Sequence, residues 1–120
     1  MTEVFMYNIT GEKALKIKNL CRKLYIGTRE IDRADYGVRI ETLLGLSDDR
    51  SVQPDADFDD EMLYLVDFNG PLLNTFLNRL RAVKAPVALK AMMTETNVGF
   101  TAAELVRELK AEHEALNADK

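Results

Sequence analysis

Six side chains in the second half of the chain have the types and spacing to hold an anion. Lys90 sits inside the apolar run Val87 to Met93, and Thr94, Thr96 and Asn97 follow it at once. Asp67 and Asn69 close an earlier apolar run, Met62 to Phe68. A lysine supplies a point charge, while hydroxyl and amide groups supply oriented donors and acceptors. If both runs are strands followed by helices, these residues cluster near strand carboxyl ends. Open α/β sheets bind ligands there, and helix N-termini offer unpaired N–H groups. Asn8 and Thr10 stand in the same relation to the run Val4 to Ile9. The competing explanation is local, because every strand-to-helix loop needs caps and turns made from these residue types. Lys90 also has two readings. It is either an edge-strand lysine that snorkels to water, or a pocket cation paired with Asp67 or a ligand carboxylate.

Other chemistry finds little support. The six glycines stand at 11, 27, 37, 45, 70 and 99, so neither GxGxxG nor the P-loop spacing occurs. One histidine and one cysteine cannot build a Cys/His zinc site within one chain. His113 falls in the stripe of Leu109 and Leu116 and reads as a helix-end residue that packs its ring and favours the dipole. Cys21 faces the inner side of its helix and reads as a small core residue. Asp55-Ala-Asp57-Phe-Asp59 opens like a calcium loop, but Asp60 replaces the turn glycine and Val66 the closing glutamate. The expectation is therefore no catalytic residue, no cofactor and no metal site.

The elements that must position these groups follow from periodicity. Val4 to Ile9 reads as a strand, and Thr10 as the N-cap of a helix with Ala14, Ile17, Leu20, Cys21 and Leu24 on one face. Tyr25 to Ile31 reads as a weaker strand. Arg33 to Gly45 contains a short helix, with Ile40, Leu43 and Leu44 inward and Gly45 as its stop. Met62 to Phe68 is a strand buried on both faces. Asn69-Gly-Pro71 opens a helix with Leu73, Phe76, Leu77 and Leu80 inward. Val87 to Met93 is the fourth strand, and Thr101-Ala-Ala-Glu104 is a capping box that opens the last helix. The order β-α-β-α-β-α-β-α predicts one α/β domain over residues 1–120. Its sheet is four-stranded and mostly parallel, with helices on both faces and strand order 2-1-3-4. An antiparallel edge strand is the competing topology. No internal repeat is apparent.

Composition sets the outer limits. The chain has 120 residues, 47% apolar and 30% charged, with 16 basic and 20 acidic groups for a net charge of −4. That balance disfavours nucleic acid as a partner. Residues 47–61, SDDRSVQPDADFDDE, hold seven acids and one arginine, so the acidity belongs to one segment, read as a mobile surface loop. A single cysteine, no basic leader in MTEVFMYNIT and no apolar run of about 20 residues imply a cytoplasmic protein without a membrane span.

The second half, from Met62-Leu-Tyr-Leu-Val-Asp-Phe68 onward, resembles a small bacterial family known as domain of unknown function 3783. The residues that carry the resemblance are Leu89-Lys90-Ala91, Thr94, Thr96-Asn97, Phe100, Glu108-Leu109 and Glu112-His113. Asp35-Tyr36-Gly37 and Leu44-Gly45 extend it weakly toward nearly the whole chain. Tryptophan is more usual in that family at the Phe100 position, a mild departure. The resemblance implies a compact bacterial α/β protein with no assigned activity and no catalytic residues to carry over. Two functions remain in view. One is a non-catalytic module acting through a protein partner or as a homodimer. The other is a protein that binds a small anion or nucleotide-like ligand through Lys90, Thr94, Thr96, Asn97, Asp67 and Asn69.

Overall fold

The computed structural model describes residues 1–54 and 56–118, and of 115–118 the backbone alone. The expected packing of Leu116 and the Asp55 carboxylate lie outside the described residues. The chain divides into two compact units, each drawn from both halves of the sequence: Met1–Ile31 with Glu61–Met93, and Asp32–Asp60 with Thr94 onward.

The first unit is a four-stranded sheet with two helices. Its elements are β1 (Glu3–Tyr7), α1 (Gly11–Lys23), β2 (Gly27–Glu30), β3 (Met62–Val66), α3 (Gly70–Ala82) and β4 (Leu89–Met92). The intervening helix α2 (Ile40–Leu43) belongs to the second unit. The strand order is β2-β1-β3-β4, the order expected. Two of the three pairings are parallel, β1 with β2 and β3 with β4. The central pair is antiparallel, with Val4 opposite Leu65, Phe5 opposite Tyr64 and Met6 opposite Leu63. The reversal thus sits at the centre of the sheet and not at an edge. Alternation of strands and helices cannot distinguish these cases, because β1 and β3 are buried on both faces in either one. Val4, Met6, Leu63 and Leu65 share one core with Ala14, Ile17 and Cys21 of α1 and Phe76 and Leu80 of α3. Both helices therefore cover the same face.

This arrangement is an internal repeat. Asn8 and Asp67 each follow a strand and each take a left-handed backbone, with φ of 59° and 60°. Two residues on, Thr10 and Asn69 are the N-cap positions, and Gly11 and Gly70 begin the helices. Both helices end in the same left-handed turn, with Tyr25 at φ 59° and Lys84 at φ 57°. Ile26 N–H closes on the Cys21 carbonyl at 2.8 Å, and Ala85 N–H on the Leu80 carbonyl at 3.0 Å. These are Schellman closures, which satisfy carbonyls that a helix end leaves unpaired. Every pair lies 59 positions apart (8 to 67, 10 to 69, 25 to 84). After the helix the spacing becomes 62. Ile31 N–H reaches the Met6 carbonyl and Met93 N–H the Leu65 carbonyl, at 3.0 and 2.9 Å. The second repeat thus carries three extra residues, Pro86 to Ala88, between its helix and its edge strand. A two-fold relation through Phe5 and Tyr64 makes β1 and β3 antiparallel and puts both helices on one face.

The second unit continues both repeats. Asp32 caps a short 3-10 helix, Arg33–Asp35, by accepting from Ala34 N–H, and α2 follows at Ile40. In the other repeat a 3-10 turn, Asn97–Gly99, precedes α4 (Ala102–Ala118). Gly37 and Gly99 are equivalent, as are Arg39 and Thr101, whose backbones pair with each other. Ile40 N–H donates to the Phe100 carbonyl at 2.9 Å. Thr101 and Glu104 form the expected capping box, each side chain accepting from the other's N–H at 3.2 Å. Gly45 has φ 80° and ends the helical segment as expected.

The acidic segment is tied down, contrary to its reading as a mobile loop. Arg33 Nε stands 2.9 Å from Asp57 Oδ1, and its Nη2 reaches Asp59 Oδ1 at 2.5 Å. Tyr36 stacks on Phe58 with ring centroids 4.8 Å apart. Gln53 N–H donates to the Gly37 carbonyl at 2.9 Å. Thr42, 3% exposed, donates its hydroxyl to the Asp49 carbonyl at 2.7 Å. These partners are far apart in sequence, so low hydrophobicity alone did not reveal them.

Candidate functional site

Four of the six residues expected to hold an anion form turns or caps, and the six are divided between the two units. In the first unit Asn69 Oδ1 accepts from Leu72 N–H at 2.8 Å, which is the N-cap of α3. Asp67 makes the left-handed turn before that cap, and its carbonyl accepts from the Thr2 hydroxyl at 3.4 Å. Asn and Asp tolerate such a turn better than most residues. Lys90 lies on β4, an edge strand, and Lys90 Nζ donates to the Val87 carbonyl rather than to Asp67. In the second unit Thr94 and Asn97 bind each other. Thr94 N–H donates to Asn97 Oδ1, and Asn97 N–H to Thr94 Oγ1, both at 2.9 Å. Thr96 precedes the 3-10 turn and makes no side-chain cap. Turn and cap formation accounts for Asp67, Asn69, Thr94 and Asn97. Of the six, Lys90 lines a cavity, the groove described next.

That cavity is a groove of about 730 Å³ in the first unit. Leu77, Leu80, Ala85 and Val87 give it apolar walls, with Pro86 and Ala88 from the three-residue insertion beside them. Arg81, Lys84 and Lys90 bring three cations, and Glu61 is the one acid in the lining. Glu61 is already engaged, because Lys13 Nζ contacts its Oε1 at 2.6 Å. The same ammonium donates to the Pro86 carbonyl at 2.9 Å, so α1 holds the insertion in place. Among the described residues no carboxylate pairs with Arg81, Lys84 or Lys90.

The two repeats make the chemistry of the groove clear by contrast. Arg22 is equivalent to Arg81, and Tyr25 to Lys84. The first repeat runs directly from Ile26 into β2 at Gly27, whereas the second inserts Pro86 to Ala88 before β4. The groove therefore coincides with the place where the two-fold relation breaks. Sequence reasoning named Lys90 as a candidate and did not name Arg81 and Lys84, which line the same groove. The usable signal was the longer connection after α3, which means something only once the repeat is seen.

The two side chains with general reactive potential are placed simply. Cys21 is fully buried, and burial pushes its thiol up to about 12, so it remains a neutral core group at ordinary pH. His113 is exposed on α4, not packed as expected, because the helix has left the core by that turn. Among the described residues no group of three His, Cys, Asp or Glu could hold a metal ion, and no helix is long and apolar enough to cross a membrane.

Residues 61–116 match the family model described as Domain of unknown function (DUF3783). The resemblance expected from the second half is thus present, and it does not extend to the first half. Its limits are informative, since they run from the residue before β3 into α4 and enclose one repeat. No curated protein and no solved structure matches the chain.

Proposed function

We propose that the protein binds a small organic carboxylate with an apolar body in the groove between α3 and β4. The observation that carries this reading is the insertion Pro86 to Ala88. The first repeat makes the same strand–helix–strand unit without it, so the fold does not need it. Arg81 and Lys84 stand at the carboxyl end of α3, where cations are favoured in any case. Lys90 is on a strand and gains nothing from that dipole. The three together leave positive charge over apolar walls, which suits a carboxylate head with a hydrocarbon tail. A volume of about 730 Å³ lies within the range of small-molecule sites. The lining offers binding rather than turnover, since its one carboxylate is held by Lys13.

The test uses octanoate and octanol in a thermal-shift assay. Ligand at about 100 times its dissociation constant adds about 2.7 kcal/mol, a shift of several degrees for a domain of this size. Octanoate should give that shift, and octanol much less. Lys84→Ala with Lys90→Ala should abolish it, as should deletion of Pro86 to Ala88, which restores the connection used by the first repeat. A shift that survives the deletion, or none with octanoate, would refute the proposal.

A further inference from the structure

The groove carries its own competing anion. We infer that Lys13 decides whether the groove admits a carboxylate, by holding Glu61 off Arg81, Lys84 and Lys90. This inference rests on the reading of the groove as a carboxylate site. Glu61 is the one acid in the lining, and the three cations border the same space. Lys13 Nζ meets Glu61 Oε1 at 2.6 Å and the Pro86 carbonyl at 2.9 Å. One ammonium thus withdraws the acid and ties down the insertion that forms a wall. Released from Lys13, the Glu61 carboxylate would attract the three cations and repel a carboxylate ligand.

The repeat shows that the fold does not require this pair. At the spacing of 59, Lys13 is equivalent to Leu72 and Glu61 to Thr2. Leu72 packs against the core, and the Thr2 hydroxyl donates to the Asp67 carbonyl, so the equivalent positions make no ion pair. The lysine, the acid and the insertion Pro86 to Ala88 therefore depart from the two-fold relation together. Lys13 has no local reason for its charge either. It stands in the first turn of α1, where the helix dipole disfavours a cation. Its side chain is 29% exposed and that of Glu61 36%, and a pair so open to water contributes little to stability. Its effect is to keep Glu61 out of the groove, and loss of the Lys13 charge closes the groove to carboxylates.

Octanoate binding is measured by titration calorimetry on the full chain and its variants. Lys13→Met should weaken binding about tenfold, the effect of one unit charge near contact distance in a partly exposed groove. Lys13→Met combined with Glu61→Gln should restore the wild-type affinity, because the competing charge is gone. Lys13→Arg should retain it, because the charge that holds Glu61 remains. A combined variant as weak as Lys13→Met would show that Lys13 acts only through Pro86, and would overturn the inference. Wild-type affinity in Lys13→Met would overturn it as well. A ligand-free crystal structure of Lys13→Met supplies a readout that needs no octanoate. The Glu61 carboxylate should lie within about 4 Å of the charged group of Arg81, Lys84 or Lys90. A Glu61 turned away from all three would overturn the inference. If the wild type does not bind octanoate, the carboxylate reading falls, and that structure alone decides whether Lys13 restrains Glu61.

Discussion

Replacing Gly37 with alanine separates a pinned acidic segment from a mobile one by the sign of its effect. A Cβ at residue 37 would lie 2.7 Å from the Gln53 carbonyl oxygen, 3.0 Å from Val52 Cγ1 and 3.1 Å from Ala56 Cβ. The first of these is backbone and cannot rotate away. Relief requires the segment to move, which breaks the 2.9 Å bond from Gln53 N–H to the Gly37 carbonyl. The lost hydrogen bond costs about 1 kcal/mol, and overpacking at such a contact costs about 1–3 kcal/mol. Gly37 does not have a positive φ. An alanine there, free of any contact, would instead stabilise by about 0.4–1 kcal/mol through the unfolded chain. Urea unfolding of both proteins gives the difference. We expect a loss of about 1–3 kcal/mol in line with those costs. A variant as stable as the wild type, or more so, would show that the segment does not rest on Gly37.

Two further outcomes follow from the turns and the core. Tyr25 is 94% exposed and held at φ 59°, so its side chain packs little while its backbone is strained. Tyr25→Gly should remove about 1 kcal/mol of that strain and raise the thermal midpoint by a few degrees after the entropy cost of glycine. An unchanged or lower midpoint would argue against the strain. Cys21 makes stability fall at alkaline pH. Its folded pKa, pushed up by burial to about 12, lies above the ordinary 9.0, so the unfolded chain loses the thiol proton first. Stability is full below about pH 9 and declines by about 1.4 kcal/mol per unit above it. Cys21→Ala should show a shallower decline over that range, and equal slopes would sink the assignment.

Much of the fold was legible from residue order. The capping box at Thr101 and the stop at Gly45 depend on local signals within a few residues. The strand order 2-1-3-4 follows the fold-level pattern of alternating strands and helices, and the edge position of Lys90 follows from the cost of burying an unpaired ammonium. What was hidden depends on comparing distant parts of the chain. The repeat preserves turn and cap positions by type rather than identity: Asn8 with Asp67, Thr10 with Asn69, Tyr25 with Lys84. Few residues match outright, Gly11 with Gly70 and Arg22 with Arg81 among them. The antiparallel centre of the sheet follows from that relation and from nothing local. The candidate site was half visible. Lys90 stood out as a charge within an apolar run, whereas Arg81 and Lys84 looked like an ordinary helix end. The hydroxyl and amide cluster from Thr94 to Asn97 attracted attention for chemistry that it spends on its own turn.

The attachment of the acidic segment to the first repeat has a consequence for synthesis. Arg33, Tyr36, Gly37 and Thr42 all leave the ribosome before their partners at 49–59, and those partners emerge before β3. These contacts can thus form while the second half is still being made, although each compact unit is completed only by residues from 61 onward. For that interval Val4 to Tyr7 waits with an open, apolar edge, the kind of edge that recruits neighbouring chains. Rapid translation through residues 60–93 would shorten the wait. Pausing there would lengthen it, and nascent chains on one message would then be close enough to pair with each other.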